Sequence, residues 1–158
     1  MKNLCPISNL LAIALLFAAA LFTNMVTAGP LTPLEESIQK GWQTQPDLRP
    51  DMETAYWKYV SNSVNEVKTP VAVNNSVVII DISLNVESKT TIYNIVVSAD
   101  AVPLLPTKAI IARQMCSDPQ SSMYLIMMGG RIIYVHFQEG VREHIDLITV
   151  TAEDCTGI

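Results

Sequence analysis

The chain has 158 residues, with 10 Lys and Arg against 15 Asp and Glu, and 49% of its residues are hydrophobic. This length and composition fit one globular domain and exclude a collagen-like, low-complexity or disordered chain. The net charge of −5 disfavours binding to nucleic acid, because phosphate groups repel an acidic protein and no stretch gathers Lys and Arg into a patch.

The first 28 residues have the form of a secretory signal peptide. Lys2 is followed by an apolar run over residues 10–22, and small or modest residues occupy the cleavage positions at 26–28. The run of about 13 apolar residues is shorter than the roughly 20 that a membrane-spanning helix needs. We therefore expect cleavage after Ala28, no stable membrane anchor afterwards, and a periplasmic or secreted protein.

Residues 29–50 form a proline-rich arm with one short predicted helix. Thr32, Pro33 and Glu35 have the spacing of a helix-capping box, and apolar residues then recur every four positions as far as Trp42. The four prolines of this stretch disfavour a long element. Either the arm packs on the domain through Trp42, or it is mobile and docks on a partner.

A longer helix is predicted between Asp51, as its N-cap, and Pro70, which stops it. Apolar residues recur there at steps of three and four, which favours packing of one face on a sheet. Trp57 falls at the margin of that face. Together with Trp42 it is our candidate partner-binding residue.

Residues 77–86 alternate between apolar and polar, which predicts a half-buried strand. Its buried face is expected to consist of Val78, Ile80, Ile82, Leu84 and Val86. A polar turn at residues 87–89 and a second strand over residues 90–98 complete a predicted hairpin.

Two helices are expected next, one from Pro106 to Cys116 and one from Asp118 to the Gly129-Gly130 pair. The second helix is rich in methionine and is interpreted as core filling. A last hairpin joins residues 131–138 to residues 144–151.

In that last hairpin, the apolar residues share one buried face if Val135 lies opposite Ile145. The same register puts His136 opposite His144 on the outer face, with Asp146 one pair further along. Two imidazoles and a carboxylate on one face would suit Zn²⁺ or Cu²⁺. A solvated polar face remains the alternative.

Cleavage of the signal peptide leaves two cysteines, Cys116 and Cys155, in a chain that enters an oxidising compartment. Two cysteines allow one intramolecular pairing, so a disulfide between them is predicted. The fold class expected from all elements is α+β. Residues 51–158 would form a single domain in which about four antiparallel strands, as two hairpins, carry helices on one face.

No motif for nucleophilic catalysis, phosphate binding or metalloprotease chemistry occurs in the sequence. No cofactor is expected, and a non-enzymatic role is favoured.

The layout resembles small disulfide-stapled bacterial periplasmic proteins of unassigned function. The resemblance rests on the helix junction at residues 115–119, the strand segment at residues 134–137 and the closing Cys155. The chain also looks like the pilotins of type II secretion, which are small disulfide-bearing periplasmic α+β domains. It departs from them in lacking a lipid-anchor cysteine after the apolar run.

These observations favour an exported, non-enzymatic protein that binds another envelope or secretion-apparatus protein as an assembly or accessory factor. One alternative is a secreted inhibitor or immunity-like protein, which clustering of Asp47, Asp51 and Glu53 around one cleft would favour. The other alternative is a metal-binding protein that uses the last hairpin.

Overall fold

The computed structural model describes residues 30–156. The predicted signal peptide therefore lies outside the described residues. Among residues 30–156, every helix falls short of the length and apolar character that crossing a lipid bilayer requires.

Within the described residues, four α-helices and five strands make up the fold, together with short 3₁₀ turns. The helices are α1 (Pro33–Thr44), α2 (Arg49–Glu66), α3 (Lys108–Ser117) and α4 (Pro119–Ser122), and α4 continues into a π-helical turn (Met123–Met127). The strands are β1 (Val71–Asn74), β2 (Val77–Asn85), β3 (Thr90–Val97), β4 (Arg131–Gln138) and β5 (His144–Val150).

The strands form one sheet in the order β1-β2-β3-β4-β5. All neighbouring pairs are antiparallel except β3 and β4, which are parallel. The prediction of an α+β fold with two hairpins is confirmed. The sheet has five strands instead of about four, because the short strand β1 was missed, and its central pair is parallel because α3 and α4 carry the chain back between β3 and β4.

The capping box predicted for α1 is present. The Thr32 backbone N–H donates to the Glu35 carboxylate at 2.8 Å, and the Glu35 N–H donates to the Thr32 hydroxyl at 3.3 Å. The helix has 12 residues, which is longer than the one or two turns expected, and it buries Ile38 in the core beside α2.

Helix α2 begins earlier than predicted. Its N-cap is Leu48, and Asp51 lies in the first turn instead of at the cap. The 3₁₀ turn Pro46–Leu48 leads directly into the helix. At its other end the helix stops at Glu66, before Pro70, as expected.

The core lies between the helices and one face of the sheet. Strand residues that alternate along β3, β4 and β5 point into it, among them the stacked rings of Tyr93 and Tyr134, whose centroids are 5.3 Å apart. The methionine-rich turn fills this core through Met123 and Met128, both almost fully buried, as predicted.

The face assigned to β2 is wrong over its first half. The register with β3 shifts between Ile79 and Asp81, so Ile80 is an extra residue in a β-bulge. Val77 and Ile79 are buried, whereas Ile80 is 43% exposed. Because the bulge adds one residue, the alternation changes phase at that point.

The register predicted for the last hairpin is also wrong. Val135 lies opposite Leu147 instead of Ile145, and a bulge separates His136 from Phe137. The core-facing residues are therefore the opposite set from the one expected: Ile132, Tyr134, His136, Ile148 and Val150.

The predicted disulfide between Cys116 and Cys155 is present. The two Cα atoms are 5.3 Å apart, within the range that a disulfide spans without backbone movement. The bridge ties the end of α3 to the 3₁₀ turn Ala152–Cys155, which follows β5.

Candidate partner-binding site

Trp57 lies in the middle of an aromatic cluster beneath α2. Its ring meets Tyr56 edge-on at 5.6 Å and Tyr124 edge-on at 5.2 Å between centroids. The side chain is only 4% exposed, so it belongs to the core more than the helical spacing suggested. Its indole Nε1 is buried without a hydrogen-bond partner among the described residues.

Above this cluster, a groove of about 440 Å³ separates α2 from the turn between β2 and β3. We call it the Trp57 groove. Its lining consists of Glu53, Thr54, Trp57, Lys58, Ser61, Asn62, Val86 and Lys89. Helical spacing places the α2 members on adjacent turns of one side of the helix.

The charges of the Trp57 groove differ from those of the chain as a whole. It contains Lys58 and Lys89 against the single carboxylate of Glu53, while the whole chain carries −5. Lys89 pairs with Glu53 at 2.5 Å between Nζ and Oε1, which links the turn to α2. Lys58 is exposed, so the groove presents a positive charge to an approaching partner.

Tyr124 supports the turn between β2 and β3, which forms one wall of the Trp57 groove. Its hydroxyl lies 2.7 Å from the Thr91 hydroxyl and within 3.4 Å of the Lys89 and Arg131 carbonyl oxygens. Burial raises the pKa of Tyr124 to about 12, although hydrogen bonds to Thr91 partly oppose the shift. The phenol is therefore neutral at physiological pH and can donate to an acceptor.

Trp42 lies outside the Trp57 groove. It sits near the end of α1, half-buried, where it packs against the core. The Arg49 guanidinium lies over its ring at 5.5 Å from the centroid, and Arg49 Nε donates to the Trp42 carbonyl at 2.9 Å. The two predicted partner-binding tryptophans are thus not parts of one surface.

The three residues proposed for a metal site are not arranged as expected. His136 faces the core and is 1% exposed, His144 lies opposite Phe137, and Asp146 lies opposite His136. His136 Nδ1 and Asp146 Oδ2 are 3.5 Å apart. Within residues 30–156, no group of three or more His, Cys, Asp or Glu side chains is placed to hold a metal ion.

Of the three acidic residues whose clustering would favour an inhibitor, Glu53 alone lines the Trp57 groove. Glu53 lines the Trp57 groove, where it is paired with Lys89. Asp47 and Asp51 are exposed and are not part of that lining.

No protein family and no curated protein matches the chain. Two solved structures do. The first is a candidate secreted protein from Pseudomonas aeruginosa, with 13% identity and a TM-score of 0.52 over 80% of this chain and 99% of that one. The second is a pilotin from the Vibrio vulnificus type 2 secretion system, with 17% identity and a TM-score of 0.46 over 68% of this chain and 91% of that one.

The likeness to the Pseudomonas protein confirms the loose resemblance to small secreted proteins inferred from the sequence. At such low identity both likenesses concern the fold alone. The overlap with the Pseudomonas protein spans nearly the whole of that chain. The likeness therefore extends over the overall fold and is not limited to one local motif. The pilotin score is too low to support an argument about a shared role.

Proposed function

We propose that this protein is an exported, non-enzymatic accessory factor that binds another protein of the envelope or secretion apparatus. The observation that carries the proposal is the Trp57 groove, which joins an aromatic floor to an exposed lysine in an otherwise acidic protein. Binding surfaces commonly combine an aromatic anchor with charges that orient the partner.

The chemistry of the groove specifies the partner segment. Lys58 and Lys89 favour a carboxylate, and Val86 with the Trp57 ring favours an apolar side chain next to it. A peptide segment that carries one acidic and one apolar residue side by side would satisfy both. Such a segment would compete with Glu53 for Lys89.

An exported location is consistent with the Cys116–Cys155 disulfide, since disulfides persist in oxidising compartments. The signal peptide predicted from the sequence at residues 1–28 agrees with this location. Neither observation depends on the groove, so location and partner binding can be tested separately.

The test places a photo-crosslinking residue at Asn62, an exposed position in the groove lining. The variant is expressed in the native host, irradiated, and the crosslinked protein is identified by mass spectrometry. We expect one exported or envelope protein, and we expect its yield to fall about tenfold with Lys58→Glu, since a reversed charge opposes the partner's carboxylate.

The matched control is Lys68→Glu, which reverses an exposed lysine just beyond the end of α2, outside the groove. It should leave the crosslink unchanged. Equal yields with both variants, or no crosslinked protein at all, would reject the groove as a partner site.

A further inference from the structure

The sheet face that points away from the helices carries a contiguous apolar patch. Strand residues that alternate with the buried ones should be polar if that face met only water. About half of them are polar, such as Asp81, Asn94 and Thr149, but seven apolar ones are contiguous across β2 to β5: Val78, Ile92, Val96, Ile133, Val135, Phe137 and Leu147. Register places several of them side by side, since Val135 lies between Asn94 and Leu147, and Ile133 lies next to Ile92. We call these seven residues the outer sheet patch.

Nothing in residues 30–156 covers the outer sheet patch. The helices bury their apolar side chains in the core on the opposite face, and no member of the patch belongs to that core or packs against it. Leu147 is 52% exposed, and the two bulge residues that border the patch, Ile80 and Ile145, are 43% and 37% exposed. Contiguous apolar surface of this kind marks an interaction site.

The charge of this face is balanced. Over β2 to β5, the outward-facing charged residues are Asp81 and Arg131, one of each sign. The chain as a whole carries −5, so two copies repel each other in most orientations. That repulsion is weakest when they approach through this face, because its two charges cancel, and a second copy of the same chain therefore fits the patch.

We propose that two copies associate through the outer sheet patch, sheet against sheet. A two-fold axis would bring the same residues of both copies together, as in most homodimers, and aligned sheets would interdigitate their side chains across the interface. Asp81 and Arg131 would lie at the rim, where opposite charges of the two copies can meet.

The area of this sheet face sets the expected affinity of the dimer. Four strands about 4.8 Å apart and about 26 Å long cover roughly 500 Å², or roughly 1,000 Å² in two copies. That is the lower end of what specific interfaces bury. The dimer should therefore dissociate on dilution into the micromolar range.

The experiment measures molar mass by sedimentation velocity on the protein purified after export, from about 1 µM to about 100 µM. We expect the mass to rise from monomer toward dimer in the wild type. Leu147→Lys should remain monomeric over the same range, because a lysine buried in a dry interface leaves its charge unpaired.

Leu34→Lys is the matched control. Leu34 is an exposed leucine of α1, at 42%, outside the sheet, and its replacement should leave the dimer unchanged. Circular dichroism and thermal unfolding show whether each variant is folded. Ile133→Lys provides a second test within the patch.

Two outcomes would overturn the proposal. One is a wild type that stays monomeric at every concentration, and the other is a dimer that persists in both Leu147→Lys and Ile133→Lys. The groove variant Lys58→Glu should still dimerise, so a failure of the partner proposal and a failure of this one give different results.

Discussion

The Glu35 carboxylate at the start of α1 accepts a hydrogen bond from the Gln120 side-chain amide of α4 at 3.0 Å, across 85 residues of sequence. Both side chains are buried, at 2% and 1% exposure. The same carboxylate oxygen accepts from the Thr32 backbone N–H and hydroxyl, each at 2.8 Å. One side chain thus caps α1 and fastens it to the body of the domain.

Replacement of this carboxylate should loosen α1. We expect Glu35→Ala to lower the free energy of unfolding by about 2 to 3 kcal/mol, because it leaves buried donors without this acceptor. Urea denaturation measures the loss, and limited proteolysis reports whether α1 detaches first. Glu36→Ala, at the exposed neighbouring position, should change neither. If Glu35→Ala unfolds like the wild type, the attachment of α1 to the domain does not depend on this contact.

The disulfide should contribute a large share of stability. Cys116 and Cys155 are 39 residues apart, and closing a loop of that length is worth about 4 kcal/mol in the chain-entropy model. The double variant Cys116→Ser/Cys155→Ser should therefore unfold at much lower denaturant concentration. Reductant should shift the wild-type transition in the same direction and leave the variant unchanged. Equal transitions for the two proteins would contradict the expectation.

Gly130 should not tolerate a side chain. A Cβ atom there would collide with the Tyr124 ring and lie 2.8 Å from its carbonyl oxygen, and Tyr124 supports the turn beside the Trp57 groove. We expect Gly130→Ala to cost about 2 to 3 kcal/mol through overpacking. At Gly129 the space is open and φ is +65°, so Gly129→Ala should cost about 1 kcal/mol from strain alone. Thermal unfolding of both variants tests whether Gly130→Ala is the more destabilising of the two.

Local signals in the sequence were enough to predict several elements. Thr32 and Glu35 specify a cap within one turn of helix, and their hydrogen bonds are present. Asp118 likewise caps α4 by accepting from the Ser121 N–H at 2.8 Å. The disulfide was predicted by counting the two cysteines that remain after the predicted signal peptide is removed, and it is present. The two caps depend on residue type and short spacing, and the disulfide depends on the number of cysteines; a sequence states both directly.

The faces of β2, β4 and β5 could not be predicted, because bulges leave no periodic trace. Ile80 adds one residue to β2, and a second bulge lies beside His136. In β4 both alternating sets are largely apolar, so burial alone could not choose between them. The choice of the wrong set placed His136 outside and hid the outer sheet patch, which the structure places opposite the helices.

Because His136 faces the core, stability should depend on pH. Burial lowers the pKa of His136 more than nearby Asp146 raises it, so the folded state binds this proton less readily than the unfolded state, whose histidine pKa is about 6.5. Stability is then fully present above about pH 6.5 and falls as the pH drops toward the folded-state pKa, by at most about 1.4 kcal/mol per pH unit.

Urea unfolding between pH 7.5 and pH 5 measures this dependence, and NMR titration of the ring protons locates the His136 pKa directly. His136→Gln should flatten the pH dependence in this window, because it removes the titrating group. His144→Gln, at the exposed position opposite Phe137, is the control and should keep the wild-type slope. A His136 pKa above 6.5, or an unchanged slope in His136→Gln, would show that the buried imidazole is not the source of the acid sensitivity.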